Sequence, residues 1–263
     1  MDDKRLGTTA IQVPEIGLGT WAYTGGAEPL RRGVELGAFH LDTAESYGTE
    51  EAVGSAIRDI RDRVFLATKV SPNHLRKADV LRAADRSLQR LGVDWIDLYQ
   101  VHWPNASIPI EETMSAMDSL VEAGKVRYVG VSNFSVAQLK EAQKALTRAA
   151  VVSNQVEYSL MKRGIEDDLL PYCQENGVTV IAYSPLAQDL DSVLDRDKAG
   201  VIAKIAAATG KTAAQIALNW CIAKENVIAI PKANTVAHVE EDCDASGWRL
   251  PKESLDLLDE AFH

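Results

Sequence analysis

Four residues carry groups that together could move a proton: Asp42, Tyr47, Lys69 and His102. They supply a carboxylate, a phenol, an ammonium and an imidazole. A free phenol has a pKa near 10 and is a poor acid at neutral pH. An ammonium within about 6 Å stabilises the phenolate and lowers that value. On this basis Lys69 tunes Tyr47, Asp42 holds Lys69 charged and in place, and His102 donates a hydrogen bond to a substrate oxygen. Such a set suits protonation of a carbonyl oxygen while something else attacks the carbon. Singly, each residue has a plain structural explanation: Asp42 a helix cap, Lys69 a surface charge, Tyr47 and Trp103 rim aromatics, His102 a core imidazole. Together they say more, because all four fall at or just past the ends of consecutive short apolar runs.

Those runs belong to a repeating pattern in which β-branched stretches alternate with longer amphipathic ones. Strands are expected at Ile16–Thr20, Phe39–Thr43, Val64–Val70, Ile96–His102, Val126–Ser132, Val152–Val156, Val178–Tyr183 and Val227–Ile230. Helices are expected between them at Pro29–Gly37, Glu50–Asp59, Ala78–Leu91, Ile110–Ala123, Val136–Thr147, Glu166–Asn176 and Ala213–Ala223, then Thr235–Asp242 and a last one at Lys252–Phe262. Eight β-then-α units imply a parallel sheet, and eight is the number that closes a barrel. The expected fold is therefore a single-domain (β/α)8 TIM barrel over residues 1–263, with a short N-terminal extension and an extra C-terminal helix. Every strand of such a barrel ends at one mouth, where the four groups can converge. The rival, an open dinucleotide-binding sheet, needs a third glycine that Gly17-Leu18-Gly19-Thr20-Trp21 lacks. Leu186–Ala199, after strand seven, carries four aspartates and is expected to be a flap over the mouth or a plain solvated loop.

The 28 basic residues face 38 acidic ones, a net charge of −10, which disfavours nucleic acid as a partner. Arg82, Arg86 and Arg90 share a helical stripe, expected to be a solvated face. Cys173, Cys221 and Cys243 have neither disulfide nor zinc spacing, which points to reduced thiols and a cytoplasmic setting. No signal segment or membrane-length apolar run is visible, so secretion and membrane spanning are not expected, and a monomer is expected over an oligomer. The histidines lack HxH and HExxH spacing, so no metal site is expected. Gly130-Val131-Ser132-Asn133-Phe134 lacks the last glycine of a nucleophile elbow.

Several motifs, in order along nearly the whole chain, resemble the aldo-keto reductases. They are Leu41-Asp42-Thr43-Ala44-Glu45-Ser46-Tyr47-Gly48, Ala67-Thr68-Lys69-Val70, Asp97-Leu98-Tyr99-Gln100-Val101-His102-Trp103-Pro104, the stretch Gly124 to Phe134, and Ile230-Pro231-Lys232. The resemblance implies NAD(P)H-dependent reduction of aldehydes and ketones by hydride transfer, with Tyr47 as proton donor and Asp42, Lys69 and His102 in the roles above. Hydride and nicotinamide come from the resemblance alone. It implies that Ser132, Asn133 and Gln155 hold the carboxamide, that Tyr183 stacks on the ring, and that Gly19, Thr20 and Trp21 line the same region. Ser184, Pro185 and Leu186 follow the pyrophosphate. Lys232, Ala233, Asn234, His238, Glu241 and Asp242 align with the adenosine end. Trp21, Tyr47, His102 and Trp103 are the implied substrate pocket.

The chain departs from the family at Ala233, where serine or threonine is common, at His238, where arginine is common, and at Asp242, where asparagine is common. Arginine grips phosphate bidentately and neutral imidazole does not. The expectation is NADP(H) as cofactor with weakened discrimination over NAD(H). The chain ends soon after its last helix, whereas longer members extend a loop over the substrate, so an open pocket for small aldehydes is expected. The alternative is a non-catalytic, nicotinamide-binding regulatory subunit of the same fold.

Overall fold

The computed structural model describes residues 1–187 and 189–263. Among them, eight parallel strands form one sheet in sequence order: β3 (Leu18–Gly19), β4 (His40–Asp42), β5 (Phe65–Val70), β6 (Ile96–Val101), β7 (Val126–Ser132), β8 (Val151–Glu157), β9 (Thr179–Tyr183) and β10 (Val227–Ala229). The two ends of the sheet meet. Gly17 donates to the Ala229 carbonyl at 2.8 Å, Ala229 donates to Glu15 at 2.9 Å, and Gly19 donates to Pro231 at 2.9 Å. These bonds close the barrel that the strand count led us to expect.

Helices α1 (Ala27–Glu35), α2 (Glu50–Ile57), α3 (Lys77–Leu91), α4 (Ile110–Glu122), α5 (Val136–Ala145) and α6 (Leu169–Glu175) alternate with the strands, as the periodicity predicts. Outward-facing strand residues such as Leu41, Leu66, Tyr99, Val129 and Val180 join the helices in one apolar layer. Inward-facing ones, among them Phe65, Ala67, Leu98, Ile181 and Ile228, fill the barrel. The alternation follows from the two-residue period of a strand.

Two regions differ from expectation. Residues before Ile16 are more than an extension: β1 (Asp3–Arg5) and β2 (Gln12–Pro14) pair antiparallel. Leu6 and Val13 of this hairpin are wholly buried against Val152 and Ile181, so it plugs the barrel floor opposite the mouth. Gly7 makes the turn with φ +56°, and a Cβ there would lie 2.9 Å from the Val152 carbonyl oxygen. The segment Leu186–Ala199 is neither a simple flap nor a plain loop. It holds α7 (Leu190–Arg196), capped by Asp189 through the Ser192 N–H at 2.7 Å, and α8 (Val201–Thr209) follows. Gln188, within that expected loop, lies outside the described residues. Helices α9 (Ala213–Ala223), α10 (Val236–Cys243) and α11 (Lys252–Ala261) complete the chain.

The arginine stripe of α3 is also not a free solvated face. Arg90 donates from Nε to the buried Glu50 carboxylate at 2.6 Å, and Arg86 lies 3.7 Å from the buried Glu45 carboxylate. The thiols of Cys173, Cys221 and Cys243 are free and buried, and burial pushes each up to about 12. No helix among the described residues is long and apolar enough to cross a membrane.

Candidate active site

Asp42 is the last residue of β4, Lys69 the last but one of β5, and His102 follows β6 directly. Their strands are neighbours in the sheet, so the three side chains emerge side by side at the C-terminal rim. Tyr47 comes from the loop between β4 and α2. Lys69 is wholly buried and ion-paired with Asp42, and its Nζ also donates to the Thr43 carbonyl at 2.9 Å and to the Tyr47 hydroxyl at 3.4 Å. The Tyr47 hydroxyl lies 3.4 Å from His102 Nε2, and the Ser46 hydroxyl 3.4 Å from His102 Nδ1. The four groups predicted from sequence therefore share one spot.

Two amides complete the arrangement. Gln155 and Gln100 donate from Nε2 to the second Asp42 oxygen at 2.8 and 3.2 Å. The Asp42 carboxylate is thus held by an ammonium and two N–H donors in a site from which water is excluded. Gln100 was not among the predicted residues. Its signal was present: it stands two residues before His102 on the same strand face, a polar side chain where a barrel interior favours an apolar one.

Burial and charge pull the titratable groups in opposite directions. Burial disfavours the Lys69 ammonium, but the facing Asp42 and Tyr47 outweigh it and hold the amine above its ordinary value. Burial pushes the Tyr47 phenol up. Lys69 pulls it down, as expected, but does not overcome burial, so the net direction is upward rather than the lowering predicted from sequence. Burial and the Lys69 charge bring His102 down to about 4, which leaves its ring neutral at pH 7.

On the other side of the mouth, Ser132, Asn133 and Gln155 meet, as predicted. Ser132 donates to the Gln155 carbonyl at 2.8 Å. Asn133, in the left-handed region at φ 63°, donates to Ser132 Oγ at 3.0 Å and to the His102 carbonyl at 3.1 Å. Half-buried Tyr183 donates to Asn133 Oδ1 at 3.1 Å. Asn133 Oδ1 keeps a second lone pair, and Gln155 Oε1 makes no hydrogen bond among the described residues, so both can still accept from an amide N–H. Ser184 follows at φ 47°, with Pro185 buried and Leu186 half-buried. Gly19 sits beside Pro231 through its N–H.

Trp21 is 66% exposed and Trp103 47% exposed, an unusual state for tryptophan. Thr20 is wholly buried, and its hydroxyl meets the Asp42 carbonyl at 2.9 Å and Thr49 at 3.2 Å, so it braces the end of β4.

At the far end of this groove Lys232 is exposed and has no ion pair among the described residues. It precedes α10, whose N-cap Thr235 accepts from the His238 N–H at 3.3 Å. Asn234 Oδ1 accepts from the Thr24 N–H at 3.0 Å, tying this end to the loop before α1. Ala233 and Asp242 are buried, His238 is exposed and Glu241 half-buried. Burial and the adjacent Glu241 raise the Asp242 carboxyl to about 7.

The sequence profile of the Aldo/keto reductase family matches residues 15–262. Among known proteins, methylglyoxal reductase YeaE of Escherichia coli is 40% identical over 262 residues, covering 96% of this chain and 92% of that protein. A thermostable aldo-keto reductase solved with the inhibitor epalrestat superposes with a TM-score of 0.93 at 42% identity, covering 99% of this chain and all (100%) of that one. An aldo-keto reductase from Klebsiella pneumoniae solved with NADPH superposes with a TM-score of 0.88 at 42% identity, covering 100% of this chain and 96% of that one. The chain belongs to the aldo/keto reductase family, the one its motifs resemble.

Proposed function

We propose that this protein is an NADP(H)-dependent reductase of small aldehydes and ketones in which Tyr47 gives the proton. The observation that carries this reading is the meeting of the Tyr47 hydroxyl with Lys69 Nζ and His102 Nε2, each at 3.4 Å. NADP(H), when bound, supplies the hydride for the carbonyl carbon. The side chains of the site do the rest. His102 is neutral, and a hydrogen bond from the Ser46 hydroxyl to Nδ1 leaves the ring proton on Nε2, where it can hold the carbonyl oxygen beside Tyr47. Tyr47 then donates to that oxygen as negative charge builds on it. Lys69, fixed by Asp42, stabilises the phenolate left behind.

The binding groups fit the cofactor. Asn133 and Gln155 offer acceptors to a carboxamide, with Ser132 bracing them, and the Tyr183 ring gives a stacking face. Ser184, Pro185 and Leu186 follow the pyrophosphate. Lys232 and the N-terminal end of α10 offer positive charge to a phosphate. Gly19 and Trp21 border the nicotinamide end. Ala233, Asn234, His238, Glu241 and Asp242 would hold the adenosine end. Trp21 and Trp103 wall an open mouth suited to small substrates, and the methylglyoxal reductase relative supports a small oxoaldehyde as first test substrate. The three buried free thiols support a cytoplasmic setting.

The test is NADPH oxidation followed at about 340 nm across a panel of aldehydes and ketones. Turnover is expected for small aldehydes. A protein that binds NADPH and oxidises it with none of them would instead be a regulatory barrel. NADPH is expected to be favoured over NADH in kcat/KM by less than about a thousandfold, since Lys232 is a point charge without a bidentate partner. A larger ratio would contradict weakened discrimination, and a preference for NADH would remove the NADP assignment.

Asp242 makes cofactor affinity depend on pH. Below about 7 its carboxyl is protonated and can both donate and accept, as an asparagine amide does. Above that value it is an anion beside a polyanionic cofactor. The Kd for NADPH is therefore expected to rise as pH increases from 6 to 8, by about tenfold per unit of pKa displaced on binding. Asp242→Asn should flatten the dependence. Titration by cofactor fluorescence at several pH values decides it, and an equal slope in both proteins would exclude Asp242 as the source.

A further inference from the structure

Glu45 stands two residues before Tyr47, and nothing in the reaction described above uses it. Its side chain is only 6% exposed, yet it is an acid. One carboxylate oxygen accepts from the Ser71 N–H at 2.5 Å and from His74 Nδ1 at 2.9 Å. The other faces Arg86 of α3 at 3.7 Å. Its own backbone N–H donates to the Lys69 carbonyl at 3.2 Å. Glu45 therefore fastens the loop after β4 to three places: the end of β5, the 3-10 turn Pro72–His74 that follows it, and α3.

What this fastening fixes is the next two residues. Ser46 faces His102 Nδ1, and Tyr47 faces both Lys69 and His102 Nε2. All three contacts are 3.4 Å, long for hydrogen bonds to hydroxyls. Contacts this loose do not lock the phenol by themselves. A backbone turn, the Tyr47 N–H donating to the Ala44 carbonyl at 3.1 Å, shapes the loop, and the paired carboxylate of Glu45 is what ties that turn to β5, the Pro72–His74 turn and α3. A buried carboxylate is costly to desolvate and contributes little net stability even when paired. Its position, one residue from the His102 partner and two from the phenol, gives it a geometric task instead.

We propose that Glu45 is a positioning residue for Tyr47. Clamped by Ser71, His74 and Arg86, it sets the distance of the phenol from Lys69 and His102, and so sets the rate of proton donation without touching the substrate. This rests on the reading of Tyr47 as the acid.

The test compares Glu45→Ala, Glu45→Gln and Tyr47→Phe in the full chain. It measures kcat and KM for an aldehyde, the pH profile of kcat, NADPH affinity by fluorescence, and Tm. Glu45→Ala is expected to lower kcat about ten- to a hundredfold, the cost of roughly 1 Å of misplacement. KM and NADPH affinity should stay within about twofold, because the Glu45 side chain is clamped to Ser71, His74 and Arg86 and to none of the cofactor groups. The alkaline limb of kcat should shift, since the phenol moves relative to Lys69. Glu45→Gln keeps an oxygen for the Ser71 N–H and should recover part of the loss. If Tyr47→Phe is inactive while Glu45→Ala turns over at the normal rate with an unchanged pH profile, the positioning role is wrong and the acid stands. If Tyr47→Phe is fully active, the acid reading fails, and this inference with it. Parallel collapse of Tm, NADPH affinity and kcat in Glu45→Ala would mark an ordinary structural anchor and overturn the proposal. Should Glu45→Ala not fold, His74→Ala removes one clamp from a side chain that is 41% exposed. A several-fold loss of kcat with the same shifted profile is expected there, and no change would equally overturn the role.

Discussion

Tyr47→Phe lowers kcat for aldehyde reduction by about a hundred- to ten-thousandfold, the range for loss of a positioned general acid. NADPH affinity stays nearly constant, because the substitution removes one oxygen and leaves Ser132, Asn133, Gln155 and Tyr183 in place. The ring itself keeps its edge-to-face packing on His102, with centroids 5.4 Å apart, so the loop does not collapse. In the parent protein the phenol lies above its ordinary value and His102 titrates near 4. The donor therefore stays protonated and the imidazole neutral through the neutral range, and kcat at saturating NADPH should be flat from roughly pH 5 to 9. The rate should fall above that window, as the acid is lost. Steady-state kinetics with one aldehyde decides the matter: activity within a few-fold of normal in Tyr47→Phe would show that the proton comes from elsewhere.

Lys69→Met has the second large effect, on two observables. The methionine fills the space but leaves the Asp42 carboxylate buried with only the Gln100 and Gln155 amides for partners. Breaking a buried pair from one side costs about 3–5 kcal/mol, which urea denaturation would register. Turnover falls as well, because the charge that stabilises the phenolate is gone. The double variant Asp42→Asn, Lys69→Met separates the two. It removes the orphaned charge and should regain most of the stability, while turnover stays low. Recovery of both together would mean that Lys69 matters only to folding; loss of neither in Lys69→Met would dismiss the ion pair from both roles.

The barrel and the meeting of Asp42, Lys69 and His102 were legible because both follow from periodicity, and Tyr47 was legible from its place in the loop just after β4. A two-residue strand period with all strands parallel places strand-end residues at a single mouth, whatever the loops do. The floor hairpin was not legible, since Asp3–Arg5 and Gln12–Pro14 are three-residue strands of largely polar sequence, with Leu6 and Val13 the wholly buried apolar side chains and polar anchors at Lys4 and Gly7 that reach distant segments. The first two helices after β9 were missed for a related reason. Leu190–Arg196 is barely two turns and is dense in aspartate, while Val201–Thr209 carries little polar contrast between its glycine boundaries. The brace role of Thr20 and the engagement of Arg86 and Arg90 depend on which neighbour a side chain reaches, which spacing along one element does not encode. The direction of the Tyr47 shift needed the burial of the phenol, a property of the assembled mouth and not of any segment.

Small oxoaldehydes are electrophiles that add readily to exposed thiolates. The three cysteines of this chain lie in α6, α9 and α10 on the faces packed into the core, and burial keeps them as thiols far above neutral pH. An aldehyde reductase built this way presents no exposed thiolate to such electrophiles, because of where its sulfur is stored.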